Sequence, residues 1–375
     1  MRLSLVTVGP PYRGGLSDLS TLIFNELGRD HTVQFINFSR QYPKLLFPGK
    51  TEFKKGSQRS NFPSERIVDS LNPFSWARAA DRIIAFQSEG VILRYWNPFF
   101  APMINIISQR LKQHGIMVTI FIDNLIPHEK SFIDTWAARR VLGHADHVFT
   151  MSKYVTQDVL SFRSELSVTT LIHPLYENYK SLYSKVEARS ILKLDEQQPV
   201  ILYFGLIRPY KGLDILIRAL GTIHEQLKNY KAYILGEAYE NEQKYKDLIQ
   251  SSGVEANVIY RNEFVSDEDL PLYFAACDVL VLPYRSATQS GIIGIAFQMD
   301  RPVIATQVGG LGEYIEEGKT GYLVTPEDPE ALGVAILKFF EGNDRVSMSA
   351  NVATEKSKFS ISNFCARIVE VFQNE

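Results

Sequence analysis

Residues 200–220, VILYFGLIRPYKGLDILIRAL, form one complete strand–loop–helix pattern. The apolar run VILYF is typical of a strand that is covered on both faces of a parallel sheet. A glycine ends this run, Arg208 and Lys211 follow, and apolar residues at helical spacing begin after Gly212. The stretch therefore predicts one βα unit of a doubly wound α/β domain, with two cations in the loop at the carboxyl end of the strand.

Short apolar segments alternate with amphipathic segments along the rest of the chain. This alternation predicts βαβ units and parallel sheets throughout. The predicted strands cover residues 3–8, 33–38, 90–94, 118–122 and 147–151 in the first half, and residues 200–204, 232–235, 258–260, 279–282, 303–305 and 322–324 in the second. Predicted helices between them include residues 17–27, 102–114 and 152–162.

The chain length predicts two domains, because 375 residues exceed what one hydrophobic core usually supports. Periodicity fades near residues 171–185, so we predict an N-terminal domain of residues 1–178 and a C-terminal domain of residues 179–359. The last helix, residues 360–375, is predicted to pack back onto the N-terminal domain. The expected fold is α/β, with two Rossmann-like doubly wound domains that face each other across a ligand-binding cleft.

The composition argues against several classes of protein. The net charge of −2 provides no field that would attract nucleic acid, so we expect no nucleic-acid partner. The apolar runs are too short for a transmembrane helix and the N-terminus lacks a signal-peptide pattern, which predicts a cytoplasmic location. Cys277 and Cys365 are predicted to be buried thiols. No clustered ligands point to a metal, and we expect no essential metal or other cofactor.

Two loops near helix starts are candidate anion sites. In GPPYRGGLSDLS, residues 9–20, the pair Gly14-Gly15 allows backbone amides to approach an anion, although a plain strand–turn–helix explains the segment equally well. In ATQSGIIGIAF, residues 287–297, a helix begins with hydroxyls and glycine and lacks carboxylates in its first two turns. Such an N-terminus favours an anion, while a simple cap on a core helix remains the alternative.

Two further loops carry charged or polar side chains after predicted strands. Arg208 and Lys211 suit a diphosphate better than a role as solvated loop charges, because they stand at the mouth of a strand. In IFIDNLIPHEK, residues 120–130, the polar side chains form a cluster that we predict to contribute to the site. Its members are Asp123, Asn124, His128 and Glu129. A second histidine at helical spacing is missing, so the pattern of a zinc protease does not apply.

The segment of residues 40–59, RQYPKLLFPGKTEFKKGSQR, interleaves basic and apolar side chains. Such a segment can rest on an anionic membrane surface at the inner face of the membrane, or it can be a solvated loop. The sequence leaves both interpretations open.

The motifs RPYKG (208–212), VLPYRSATQSG (281–291) and RPVIATQVGGLGEYIEEGKTGYLV (301–324) resemble glycosyltransferase family 4. This resemblance implies a GT-B-fold, retaining enzyme that takes a hexose from a nucleotide-diphosphate sugar. It further implies that Arg208 and Lys211 neutralise the donor diphosphate. The resemblance also implies donor contacts at Gly15, Asn124, Phe264, Ser290, Gly291 and Ile292. Glu313 matches the glutamate after the family's double glycine, with a role in donor binding or in structure alone, and Thr288 and Gln289 are candidates for the ribose and sugar contacts.

The chain departs from the family pattern at two places. Many members carry a Glu-x7-Glu motif where this chain has Ala287 and Ile295, which makes it a TQSG variant and leaves the ribose and sugar contacts unassigned. The family often has His-Asn where this chain has Asp123-Asn124. Either His128 takes the role of the family's sugar-contacting histidine, or Asp123 has a different role. Both residues are therefore catalytic candidates beside Arg208 and Lys211.

The resemblance implies transfer to a hydroxyl of a saccharide or a lipid-linked saccharide, as in the biosynthesis of surface polysaccharides or glycolipids. A GT-B-fold nucleotide-sugar epimerase or hydrolase is an alternative, but it needs carboxylates, and only Asp123 and Glu129 are offered in the cluster. A non-catalytic protein that binds a sugar nucleotide would explain the missing glutamates. The retention of both Arg208 and Lys211 argues against that alternative.

Overall fold

The computed structural model describes residues 1–43, 53, 61–126, 132–176, 179, 182–266, 268–342 and 344–374. It divides into two compact units, Met1–Ile172 with Ile361–Glu375, and His173–Ser360. The last helix of the chain thus belongs to the N-terminal unit.

The N-terminal unit contains a parallel sheet of seven strands in the order β3-β2-β1-β4-β5-β6-β7. The strands are β1 Arg2–Val6, β2 Thr32–Arg40, β3 Glu65–Asp69, β4 Gly90–Tyr95, β5 Met117–Ile122, β6 His147–Thr150 and β7 Ser167–Thr170. The helices are α1 Gly15–Leu27, α2 Pro73–Ala85, α3 Ala101–Lys112, α4 Phe132–Leu142, α5 Lys153–Phe162 and the returning α13 Ile361–Asn374. The order of strands reverses between β1 and β4, which creates a crevice at their carboxyl ends.

Local sequence signals explain where several helices begin. The side chain of Asn72 accepts a hydrogen bond from the amide of Phe74, and Pro73 occupies the first position of α2. Ser152 caps α5 in the same way. Helix α13 packs on α1, and the ring of Phe372 lies so close to Gly90 in β4 that an added Cβ would be 2.3 Å from it.

The C-terminal unit contains a parallel sheet of six strands in the order β10-β9-β8-β11-β12-β13. The strands are β8 Val200–Phe204, β9 Lys231–Leu235, β10 Val258–Arg261, β11 Val279–Leu282, β12 Val303–Thr306 and β13 Gly321–Val324. The helices are α6 Lys185–Ile191, α7 Leu213–Ile223, α8 Gln243–Ser251, α9 Leu270–Ala276, α10 Gly291–Gln298, α11 Pro329–Phe340 and α12 Asp344–Glu355. In this sheet the order reverses between β8 and β11.

A buried carboxylate ties several of these elements together. Asp278 stands directly before β11 and forms ion pairs with Lys185, Arg189 and Arg345. It also accepts a hydrogen bond from the amide of Val200 at the start of β8. Burial alone would raise the pKa of Asp278, but Lys185 and Arg189 outweigh it and hold that pKa below its ordinary value. The pairing therefore fixes α6 and α12 to the edge where β8 and β11 begin.

The predicted fold class, two Rossmann-like α/β domains, is confirmed by these two parallel sheets. Cys277 and Cys365 are buried and free, as the sequence predicts. Strands β3 and β7 are absent from the sequence prediction; both lie at the edges of the first sheet, where apolar runs are shorter. No helix within the described ranges combines the length and the hydropathy that crossing a bilayer requires.

Candidate anion site at the β8–β11 crevice

The loops that follow β8 and β11 touch each other. Gly212 adopts a φ of 64°, and a Cβ added there would lie 2.0 Å from the carbonyl oxygen of Pro283. Only glycine fits this close approach of two backbones without displacing one of them. The loop after β8 and the loop after β11 therefore form one continuous surface at the point where the strand order reverses, which is where ligands of such sheets bind.

Lys211 lies in this surface against the end of β8. Its ammonium group donates a hydrogen bond of 3.1 Å to the hydroxyl of Tyr284 and lies 4.9 Å from the centre of the same ring. Burial lowers the pKa of the Lys211 ammonium group, but the electrostatic interactions with Tyr284 and Tyr210 outweigh burial, so this pKa lies above its usual value. Lys211 is thus a cation at neutral pH.

Arg208 is the second cation of the site. Its guanidinium carbon lies 4.9 Å from the centre of the Tyr239 ring, and its Nε is buried without a hydrogen-bond partner in the described part of the chain. Among the described residues, neither Arg208 nor Lys211 forms an ion pair with a carboxylate. Two cations that lack a carboxylate partner among the described residues are suited to an anion with more than one negative charge.

A neighbouring ion pair fixes the turn that carries these cations. Arg285 binds the carboxylate of Asp214 with two hydrogen bonds of 2.9 and 2.7 Å. It also donates to the carbonyl oxygens of Pro209 and Tyr210, both at 2.7 Å. Burial raises the pKa of Asp214, but the hydrogen bonds from Arg285 outweigh this and hold it below its ordinary value. Arg285 therefore braces the turn Pro209–Lys211 against the loop after β11.

The N-terminus of α10 reaches the same place. A Cβ added at Gly205 would lie 2.7 Å from Cδ1 of Ile292 and 3.3 Å from the ammonium nitrogen of Lys211. The buried Ser290 is the N-cap residue, and its hydroxyl does not cap the helix. Gly291 is the first residue of α10, and a Cβ there would lie 2.7 Å from the hydroxyl of Tyr176. The predicted residues Lys211, Ser290, Gly291 and Ile292 are therefore brought together, with Gly205 between them.

The other residues predicted to contact the donor lie beside the start of α10 or follow other strands. Gly309 has a φ of 49°, and a Cβ there would be 1.5 Å from the carbonyl oxygen of Ala287, so the double-glycine turn packs against the segment that begins Thr288-Gln289. Glu313 ends the short 3₁₀ helix that follows this turn. Phe264 follows β10, two strands away from β8, and its side chain is 55% exposed.

In the N-terminal unit, a buried arginine joins three segments that the sequence analysis treated separately. Arg94, at the end of β4, donates to both carboxylate oxygens of Asp123 at 2.7 and 2.8 Å. It also donates to the carbonyl oxygen of Leu16 and to the hydroxyl of Ser20, both in α1. Arg94 and Asp123 are 2% and 7% exposed. This pairing gives Asp123 a buried structural contact, and the catalytic role predicted for it stays a prediction.

The remaining predictions for this unit concern the segments on either side. Gly15 is the first residue of α1, after Gly14 with a φ of 106°. The side-chain oxygen of Asn124 is buried without a hydrogen-bond partner in the part of the chain that the structure describes. His128 and Glu129 lie outside the described residues. In the segment 40–59, for which membrane contact was predicted, the structure describes residues 40–43 and 53, and the other residues of that prediction lie outside the described ranges.

Sequence reasoning missed Gly205, Tyr239 and Tyr284 as members of the site, and Arg94 as the partner of Asp123. Arg94 had a visible signal, since it is the one charged residue in the apolar strand GVILRY. The sequence around Tyr284 gives no such signal, because Lys211 lies 73 positions earlier in the chain. Within the described ranges, no cluster of three or more His, Cys, Asp or Glu side chains is placed to hold a metal ion.

Comparison with protein families finds a match over residues 198–341 to the family described as "Glycosyl transferases group 1". This match lies within the C-terminal unit, so residues 198–341 are similar to that family. The chain is 28% identical over 196 residues to the D-inositol 3-phosphate glycosyltransferase of Corynebacterium urealyticum, covering 50% of this chain and 46% of that protein. It is 25% identical over 254 residues to the enzyme of the same name from Streptomyces scabiei, covering 63% and 56%. The chain therefore spans about half the length of these relatives.

Solved structures of similar fold cover the whole chain. Anabaena Alr3699/HepE in complex with UDP superposes with a TM-score of 0.78 at 20% identity over 100% of both chains. Sucrose-phosphate synthase from Thermosynechococcus elongatus gives 0.73 at 16% identity over 100% of this chain and 98% of that one. WaaG, a glycosyltransferase involved in lipopolysaccharide biosynthesis, gives 0.69 at 16% identity over 100% of both chains. At these identities the likeness shows the fold alone.

Proposed function

We propose that this protein is a retaining glycosyltransferase that moves a hexose from a nucleotide-diphosphate sugar to a hydroxyl of a saccharide or lipid-linked saccharide. The observation that carries the proposal is the pair of cations, Arg208 and Lys211, which have neutral aromatic neighbours and no carboxylate partner among the described residues. The N-terminus of α10 adds backbone amides beside them. The similarity of residues 198–341 to the family described as glycosyl transferases group 1 supports sugar transfer as the reaction.

In the proposed reaction, the bond between C1 of the sugar and the diphosphate oxygen breaks, and its electron pair stays on the leaving phosphate. Arg208 and Lys211 stabilise the negative charge that develops there. The acceptor hydroxyl bonds to C1 from the same face, and its proton passes to the leaving phosphate. This balance requires no protein nucleophile, in contrast to the paired carboxylates of retaining hydrolases. The absent Glu-x7-Glu carboxylates are therefore no obstacle to the bond-breaking step.

The proposal predicts that Lys211→Ala lowers kcat by about 100- to 1,000-fold, which is the usual effect of removing one preorganised group that stabilises developing negative charge. The full chain is incubated with UDP-, GDP- and ADP-sugars, and thermal stabilisation and release of the nucleoside diphosphate are measured. UDP-sugars come first, because structures of similar fold contain UDP or UDP-glucose.

Lys228→Ala is the matched control, since Lys228 is an exposed lysine of the same unit paired with the exposed Glu225. Binding of none of the three donor classes would contradict the proposal. Equal kcat values for Lys211→Ala and Lys228→Ala would show that the site is misplaced. Release of free sugar with or without an acceptor would indicate the hydrolase alternative, and binding without release would indicate a non-catalytic partner.

The acceptor is proposed on the resemblance of the sequence motifs alone. Candidate acceptors are a soluble oligosaccharide and a polyprenyl-linked saccharide in vesicles that contain anionic lipid. A lipid-linked acceptor that is used only when presented in such vesicles would support the membrane contact proposed for residues 40–59. Equal use of the soluble acceptor would contradict that contact.

A further inference from the structure

The strongest unassigned feature of the crevice is the contact between Lys211 and Tyr284. We infer that Tyr284 is a positioning residue of the proposed transferase: its hydroxyl and its ring hold the Lys211 ammonium group where the donor diphosphate is bound. This inference rests on the proposed function, in which Lys211 binds the donor diphosphate.

The contact confines the end of a side chain that is otherwise free to move. The four-carbon stem of a lysine allows many rotamers, and its ammonium group has no fixed direction. Here the hydroxyl of Tyr284 accepts a hydrogen bond from Lys211 at 3.1 Å, and the centre of the ring lies 4.9 Å from the nitrogen. On another side, the position of a Gly205 Cβ would be only 3.3 Å from that nitrogen. The end of β8 and the loop after β11 therefore confine the ammonium group together.

Tyr284 is itself held by the backbone around it. Its side chain is 2% exposed, and its carbonyl oxygen accepts a hydrogen bond of 2.5 Å from the hydroxyl of Thr306. Its ring packs edge-on against that of Tyr210. Pro283 before it touches Gly212, and Arg285 after it binds Tyr210. The tyrosine cannot move without displacing both loops, so the position of Lys211 is set before a ligand arrives.

The chemistry of the partner matters as much as its position. A carboxylate in place of Tyr284 would hold Lys211 equally well, but it would neutralise the cation and compete with the phosphate. A phenolic hydroxyl and an aromatic face are uncharged, so they orient the ammonium group and leave its charge for the ligand. Arg208 has the same kind of neighbour in the ring of Tyr239. Both cations of the site are thus placed by neutral groups.

The test compares Tyr284→Phe in the wild-type background and in the Lys211→Ala background. The probes are UDP and UMP, or the corresponding pair of the donor class that the screen selects. Losing one hydrogen bond to a charged group is expected to weaken UDP binding and to lower kcat/KM by about ten-fold. The affinity for UMP is expected to stay unchanged, because UMP lacks the distal phosphate. Tyr284→Met, which removes the ring as well, is expected to give the larger loss.

The decisive measurement is the effect of Tyr284→Phe in the Lys211→Ala background. If Tyr284 acts through Lys211, Tyr284→Phe causes no further loss once Lys211 is alanine. An equal loss in both backgrounds, an equal loss for UDP and UMP, or no loss at all would overturn the inference. Thermal unfolding of each variant identifies any that fail to fold, and Tyr284→Met then provides the same comparison.

Tyr203→Phe is the matched control, because it removes another buried hydroxyl from the adjacent β8, and that hydroxyl has no hydrogen-bond partner among the described residues. Its UDP affinity and kcat/KM are expected to equal those of the wild type. Failure of the proposed function looks different from failure of the inference. In the first case the wild-type protein binds no nucleoside diphosphate, whereas in the second it does, and Tyr284 merely fails to couple to Lys211.

Discussion

At the scale of single residues, Arg94 and Asp123 show what a buried charge does in this protein. Neither side chain has appreciable contact with solvent, and each satisfies the other with two short hydrogen bonds. Arg94 uses its remaining donors on Leu16 and Ser20, so the start of α1 depends on its position. The pair therefore connects the carboxyl ends of β4 and β5 with the start of α1.

We expect Asp123→Asn to lower the free energy of unfolding by about 3–5 kcal/mol, because it leaves the charge of Arg94 buried without a counter-ion. Urea titration followed by circular dichroism measures this change. Asp69→Asn is the comparison, since Asp69 forms a similar two-bond pair with Arg40 at the surface and should cost about 1 kcal/mol or less. Loss of activity at full stability would instead support the catalytic role predicted for Asp123.

At the scale of secondary-structure elements, Asp278 holds α6 and α12 to the strands β8 and β11. Its carboxylate is fully buried, and three cations contact it. Because its folded-state pKa is depressed below the ordinary 3.8, the ionised form contributes stability above about pH 4. That contribution is lost as the pH falls from there through the lowered folded-state pKa.

Asp278→Asn is expected to destabilise the C-terminal unit by about 3–5 kcal/mol at pH 7, since Arg189 is buried beside it. The difference in unfolding free energy between wild type and variant should shrink below pH 4, as the wild-type carboxylate becomes protonated. Chemical denaturation at a series of pH values measures this. A difference that is independent of pH would show that the charge of Asp278 contributes nothing.

At the scale of the whole molecule, the chain leaves the N-terminal unit after Ile172 and returns to it at Ile361. Helix α13 brings Phe364 against Phe121 of β5 and Phe372 against Gly90 of β4. The last residues of the chain therefore complete the core that the first residues begin. The core of the N-terminal unit thus includes a segment that follows the entire C-terminal unit in sequence.

Phe364→Ala is expected to lower the stability of the N-terminal unit by about 3–5 kcal/mol, because it removes a buried ring from the contact with Phe121. Differential scanning calorimetry with and without UDP follows the unfolding of both units. Phe74→Ala serves as the control, since Phe74 belongs to the same unit and is 85% exposed. Equal effects of the two substitutions would contradict the role of α13.

The sequence predicted those features that depend on local pattern. The apolar run VILYF corresponds to β8 without a change of boundary, and the segment ATQSG leads into α10. The strand β3 escaped prediction because only Val68 of its five residues is buried. Contacts between loops were also not predicted, because periodicity indicates which face of a helix or strand is buried but not which side chains contact each other. The pairs Lys211–Tyr284 and Arg94–Asp123 are separated by 73 and 29 residues.

The neutral surroundings of Arg208 and Lys211 have a consequence for turnover. A nucleoside diphosphate carries at least as much charge after the sugar has left as before, and under the proposed function it meets the same two cations. Their attraction therefore acts on the product as strongly as on the donor, and it opposes release. Under the proposed function, cations that lack a carboxylate partner among the described residues therefore give strong binding together with product inhibition, and dissociation of the nucleotide is expected to limit the rate.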